Sequence, residues 1–198
     1  MIIICKNINE AIKDIRFKPD TKEELKELVN NKYISLANID VSNITDMSSL
    51  FENSERTNFS GIETWDVSNV KDMSCMFCNS QFNNDISNWN VSNVKDMSFM
   101  FAYSDFNNDI SNWNTSKVKD MSFMFYDSNF NNDISKWNVS NVRNMEYMFY
   151  ISIFNGDISN WNVNNVKDMS GMFEHSKFNG DISNWEYNKD VNKEFMFN

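Results

Sequence analysis

Cys75 and Cys78 stand three apart in the phrase "CMFC", the spacing of redox disulfides and of half of many zinc sites. A zinc site needs a second such pair or histidines, and the chain offers only Cys5 and His175 besides. Nucleophilic catalysis of the Ser/His/Asp or Cys/His kind would also have to pass through His175. Carboxylates recur at Asp85, Asp109, Asp133, Asp157 and Asp181, and stacked Asp residues raise the question of calcium. Calcium-binding repeats supply several ligands and glycines per turn, whereas the phrases "FNND" and "FNGD" supply fewer. Six tryptophans stand at Trp65, Trp89, Trp113, Trp137, Trp161 and Trp185, each 24 residues after the last.

That recurrence turns apparent reagents into building parts. A Met-Phe pair keeps the same period from Met76-Phe77 to Met196-Phe197. A fixed period of this size marks stacked repeats, each one coil long. An earlier coil is visible in "IDVSNITDMSSLF", with Ile39 in the tryptophan slot, and its link to the next coil is two residues longer, so "ENSERTNFSG" should bulge. About seven coils result, the last incomplete. Cys75 and Cys78 then fall in slots held by Phe99 and Ala102 one coil later, and His175 in a slot held by Asn79, Tyr103, Asp127 and Ile151. These slots vary, which argues for surface or filler and against an active centre.

Within a coil the apolar slots are Ile86, Trp89, Val91, Val94, Met97, Met100, Phe101 and Phe106. The alternation at Trp89–Val91 predicts a short strand. From Met97 to Phe101 the spacing shifts to three and four, which predicts a short helical or 3-10 turn with Asp96, like Asp72, Asp120 and Asp168, as its N-cap. The slot of Asn84, Asn108, Asn132, Gly156 and Gly180 predicts positive φ. The Asn before it and the Asp after it are expected to bond backbone groups of a neighbouring coil. The expected fold class is therefore an α/β repeat solenoid, leucine-rich-repeat-like, with a three-sided β-helix as the rival.

The ends differ from the middle. Residues 1–36 read as an N-terminal cap, with a helix at about 21–31 opened by the capping box Thr21-Lys22-Glu23-Glu24. A strand at Ile2–Ile4 and a second short helix over Ile8, Ile12 and Ile15 are also expected. Residues 37–198 read as the repeats, their degenerate last coil serving as C-terminal cap, with Lys193 in the methionine slot.

Composition bounds the partners. Net charge is −10 and pI about 4.6, and Lys and Arg never cluster apart from Asp, so nucleic acid is not an expected partner. No stretch approaches the roughly 18 apolar residues of a membrane span. The start, "MIIICKNINE", lacks the basic region and long apolar run of an export signal, so the chain as written reads as cytoplasmic.

The pattern I-x-x-W-x-V-x-x-V-x-x-M-x-x-M-F, seen from Ile86 to Phe101, resembles the leucine-rich-repeat frame with larger residues substituted. More closely, "DISNWNVNNVKDMSGMF", Asp157 to Phe173, resembles the BspA-like family of bacterial leucine-rich-repeat surface proteins. The resemblance covers about Lys18 to Asn198. It implies a right-handed stack of coils and a role in adhesion or protein binding at a cell surface, with no catalytic residues and no cofactor to carry over.

Function is therefore expected in binding, and enzymatic activity is not expected. One candidate face is the polar row containing Asn90, Asn114 and Asn138, whose plain reading is a solvated sheet face. The other is the aromatic group Phe99, Phe123, Tyr126, Tyr147 and Tyr150, joined by Tyr103 and Ile153, unless these rings wedge between adjacent turns. The expected partner is a protein, of a host or cell surface on the family's precedent. The alternative is a self-assembling element, a homo-oligomer stacked through its coil ends.

Overall fold

The computed structural model describes residues 16–197. The expected strand at Ile2–Ile4, the short helix over Ile8–Ile15 and Cys5 lie outside the described residues.

Helix α1 spans Lys22–Asn30. Thr21 takes its N-cap: the Glu24 N–H donates to its hydroxyl at 3.2 Å, and the Asp20 N–H donates to the Glu24 carboxylate at 2.8 Å. The capping box thus closes one residue early. Leu25 and Val29 form the buried side of α1, where apolar surface contributes about 25 cal/mol per Å² removed from water. Its lysines face the first repeat: Lys22 donates to Asp46 at 3.2 Å and to Ser48, and Lys26 to the carbonyl of Ser49. Arg56, in the expected bulge, donates at 2.7 Å to the carbonyls of Val29 and Ile34. The helix is thereby tied down at both ends.

After α1 the repeats lie side by side. Six parallel bridges join seven equivalent positions in turn: Asp46, Asp72, Asp96, Asp120, Asn144, Asp168 and Asn192. Around each bridge alternate residues donate to the next repeat. The N–H groups of Met97, Phe99, Phe101 and Tyr103 reach the carbonyls of Asp120, Ser122, Met124 and Tyr126 at 2.8–3.0 Å. The first repeat does the same across two more residues, Met47 to Asp72 and Ser49 to Ser74, which is the bulge's extra length.

This ladder lies in the Asp-Met-Ser-x-Met-Phe segment, where a helical turn was expected. Asp96 does not cap a helix. Its carboxylate accepts the N–H and hydroxyl of Ser98, at 2.9 and 2.6 Å, in a local side-chain turn. Turns follow, Met100 N–H to Met97 and Ala102 N–H to Phe99, with Phe99 at φ 57° and Tyr103 at φ 55°. Left-handed residues at every fourth position stop the turns from propagating as a helix and free alternate amides for the neighbour. Parallel pairing on the tryptophan side occurs at Phe17 and Ile39. In the later repeats the tryptophan N–H instead closes a turn on the isoleucine three before it, as Trp89 does on Ile86 at 3.1 Å.

The core is a set of ring columns. Phe51, Phe77, Phe101, Phe125, Phe149 and Phe173 stack at centroid spacings of 5.6–5.9 Å. A second column, Phe82, Phe106, Phe130, Phe154 and Phe178, runs beside it at 5.7–6.3 Å. The tryptophans are buried and bonded: Trp113 donates its indole N–H to the Ile86 carbonyl at 3.2 Å, and Trp137 to Ile110 at 3.0 Å. That donor explains why the slot holds tryptophan, since a leucine there would fill space without fastening one repeat to the next. Thr115, in a valine slot, is fully buried and donates to the Asn138 carbonyl at 3.1 Å. No buried side-chain polar atom among the described residues lacks a partner.

Candidate interaction surface

The recurring polar residues are absorbed by the scaffold. Asp85, Asp109 and Asp133 accept the N–H of Ser87, Ser111 and Ser135 at 2.8–2.9 Å, inside their own repeat and not across to the neighbour as expected. The preceding Asn does reach across: Asn83 accepts the N–H of Asn107 at 3.0 Å, and Asn107 that of Asn131 at 2.9 Å. The next slot is corrected by the structure. Asn84, Asn108, Asn132, Gly156 and Gly180 do not have positive φ. Asn108 instead donates its side-chain amide to Asn83 at 2.8 and 2.9 Å, a second tie between repeats.

The same bonds set an acid limit on stability. The Ser87 and Ser111 amides hold Asp85 and Asp109 below the usual carboxylate range, and the Ser42 hydroxyl, aided by Lys18, holds Asp40 at about 2. A folded pKa below the unfolded one gives stability that is present above the unfolded value, about 4, and is lost as pH falls through the folded value. Glu146 acts oppositely, its carboxyl raised by burial and then by Asp168 and Asp120. The melting temperature is expected to fall between about pH 4 and pH 2, with a shallower fall in Asp40→Asn. A profile unchanged by that substitution would remove Asp40 from the account.

Asn90, Asn114 and Asn138 are exposed. Each accepts the N–H of the serine two residues on, at 3.1–3.2 Å, so the row builds turns. The cysteines are free thiols, Cys78 buried and Cys75 partly so. Burial pushes Cys78 up to about 11 and raises Cys75 as well, away from the thiolate that redox or metal chemistry uses. The described residues hold no group of three or more His, Cys, Asp or Glu arranged to bind a metal ion.

The aromatic candidates do come together. Phe99 and Phe123 stack at 4.4 Å with planes 5° apart, and Phe123 meets Tyr147 at 5.2 Å. Alongside, Tyr126 stacks on Tyr150 at 4.8 Å, and Tyr103 meets Tyr126 at 5.1 Å. All but Tyr103 are half-buried, outside the main core; Tyr103 is 50% exposed, and Ile151, two repeats on in its column, and Ile153 are 44% and 43% exposed. The rings stack on one another from repeat to repeat in an outer ridge, and the Tyr147 ring also lies over the backbone of the next repeat at Gly171.

The backbone beneath the ridge was not foreseen. Phe99, Phe123 and Tyr147 have φ of 57°, 57° and 50°, and the column Tyr103, Asp127, Ile151 and His175 runs from 47° to 58°. These are the slots that vary between repeats, and both are left-handed throughout. Such a slot suits glycine or asparagine, and a β-branched residue there is an outlier. Asn53, Asn79 and Gly171 show that the chain uses those residues elsewhere in the same columns. At Gly171, φ 61°, an added Cβ would stand 2.1 Å from the Tyr147 ring, so that ring closes the ridge by lying over the glycine.

No helix among the described residues is long and apolar enough to cross a membrane. No curated protein and no solved structure matches the chain. A family model matches residues 21–129 and again 102–198, together the whole repeat region and α1. The chain belongs to the family described as "Mycoplasma protein of unknown function, DUF285".

Proposed function

We propose that this chain is a non-enzymatic binding scaffold, a leucine-rich-repeat-like solenoid of the BspA-like kind whose turns take the place of the helical side. Its business end is the outer aromatic ridge, and its partner is a protein. The carrying observation is the placement of Phe99, Phe123 and Tyr147 at left-handed positions of three adjacent repeats. A left-handed conformation costs a non-glycine residue about 1–2 kcal/mol, and a stacked ring pair returns about 0.5–1.5 kcal/mol. The same left-handed backbone recurs at Ser49, Cys75 and Gly171 of that column, so the ladder sets it and stacking offsets it, and the choice of large rings over the small residues used elsewhere in the column is what points to use. Half-buried aromatics grouped on a surface are the usual anchors of protein interfaces.

Substituting Phe123→Gly with Tyr147→Gly is the direct test. Stability by urea denaturation is expected to move by less than about 1 kcal/mol. Retention of cell-surface proteins by the immobilised chain is expected to be lost. A stability loss of about 3 kcal/mol or more would make the ridge part of the core and end this reading.

End-to-end self-assembly finds less support. A second copy stacking on the first repeat would meet α1, whose Lys22 and Lys26 already occupy Asp46, Ser48 and the Ser49 carbonyl. An edge covered by a helix is not open to such pairing.

A further inference from the structure

We infer that the aromatic ridge takes a basic, arginine-bearing segment of a partner protein, laid along the repeats with its guanidinium groups on the rings and between flanking carboxylates. This rests on the ridge being the binding surface, and adds the chemistry of what it binds.

The charge pattern carries the inference. From Met to the next Ile, over residues 73–86, 97–110, 121–134 and 145–158, four consecutive repeats contain no lysine or arginine on the ladder and return side. The same stretches carry Asp105, Asp127 and Glu146 beside the turn-forming Asp85, Asp109, Asp133 and Asp157. The cations of these repeats, Lys95, Lys117, Lys119, Lys136 and Arg143, all fall in the other part of the coil. Glu174 extends the acidic border at one end, reaching towards His175, whose ring meets Tyr150 edge-on at 5.6 Å.

The geometry fits the same ligand. Tyr103 is half exposed and opens on a groove of about 540 Å³ lined also by Glu55, Asp105, Asp127 and Asn129. A ring face beside carboxylates, on a side where these four repeats place no lysine or arginine, is the arrangement that attracts a guanidinium, which stacks flat and donates at its edge. Each such contact is modest, so a segment would gain by repeating arginines along the ridge. An acidic partner is disfavoured by the same field.

The test is an NMR titration of the full chain with a short synthetic peptide alternating arginine and glycine, against a glutamine-for-arginine control of equal length. Shifts are expected at the amides of Phe99–Tyr103, Phe123–Asp127 and Tyr147–Ile151. Affinity is expected to be about tenfold above the control, and to fall about tenfold in Asp127→Asn with Glu146→Gln and Glu174→Gln, isosteric changes whose unaltered fold is read from the same spectra. Equal binding of both peptides at the ridge, lost in the Phe123→Gly Tyr147→Gly variant, would overturn the arginine inference and leave the ridge standing. Shifts gathered at Asp85, Asp109 and Asp133 would overturn it by placing the peptide elsewhere. Shifts at the ridge that grow with protein concentration alone would make a second copy the occupant, also against the proposal.

Discussion

Phe125→Ala is expected to destabilise the chain by about 3–5 kcal/mol in urea denaturation. Phe125 is fully buried and touches four rings: Phe101 at 5.9 Å, Phe149 at 5.6 Å, Phe130 at 4.3 Å and Trp137 at 6.3 Å. Its removal leaves a cavity that its repeat cannot close alone, because the ladder fixes the spacing of both neighbours. In a stack where each repeat contacts only the adjacent ones, a weak middle also divides the cooperative unit. The m-value is therefore expected to drop along with the midpoint. Phe197, 49% exposed and stacked on Phe173 at 5.3 Å, provides the contrast, with a loss of under about 1 kcal/mol on truncation. Equal losses at the two positions would mean that the ring columns do not act as a column.

Gly61→Ala is the second large effect, about 3 kcal/mol or more, read from thermal or urea unfolding. Gly61 has φ 98°, and a Cβ there would lie 2.3 Å from the backbone nitrogen of Ala37. Neither strain nor clash has a soft way out, since the obstacle is main chain, with Ala37 inside one short 3-10 segment, Leu36–Asn38, and Gly61 capping another, Ile62–Thr64. This is where the first repeat meets the second across the bulge. Gly156→Asn is the control and is expected to be close to neutral. An added Cβ there meets the tip of the Phe154 ring at 2.9 Å and the Asn132 carbonyl at an ordinary 3.6 Å, and Asn108 and Asn132 fill the same slot in other repeats. If Gly61→Ala left the midpoint unchanged, the junction between Ala37 and Gly61 would not be as tight as described.

Much of the core was legible in the sequence, and the reason is repetition. Ile86, Trp89, Val94, Met97 and Phe101 each recur in one slot, and an apolar slot written six times is buried whatever the local geometry. Local conformation was less legible. The spacing of Met97, Met100 and Phe101 matches a helix, but it matches equally a chain of turns broken by left-handed residues. Phe99 and Ile151 give no hint of positive φ, because their own preferences oppose it. The bonds from Phe99 to Ser122 and from Ile151 to Glu174 impose it from the next repeat. The shared Asn and Gly of the return loop misled for the opposite reason. Both tolerate positive φ, but that slot calls for a small residue or an amide donor, as Asn108 shows. Of the candidate surface, the aromatic grouping was visible, and the strain beneath it was not.

The alternating ladder has a consequence for how such a gene can change. Met97, Phe99, Phe101 and Tyr103 offer the following repeat the same donors that Met121, Phe123, Phe125 and Asp127 offer the one after. A tandem duplication or loss of one whole unit therefore creates a junction chemically identical to those already present. Length becomes heritable in steps of one coil, with no compensating mutation. The left-handed columns pass through each such event as separately writable letters, so that lengthening the stack and rewriting its surface are independent changes.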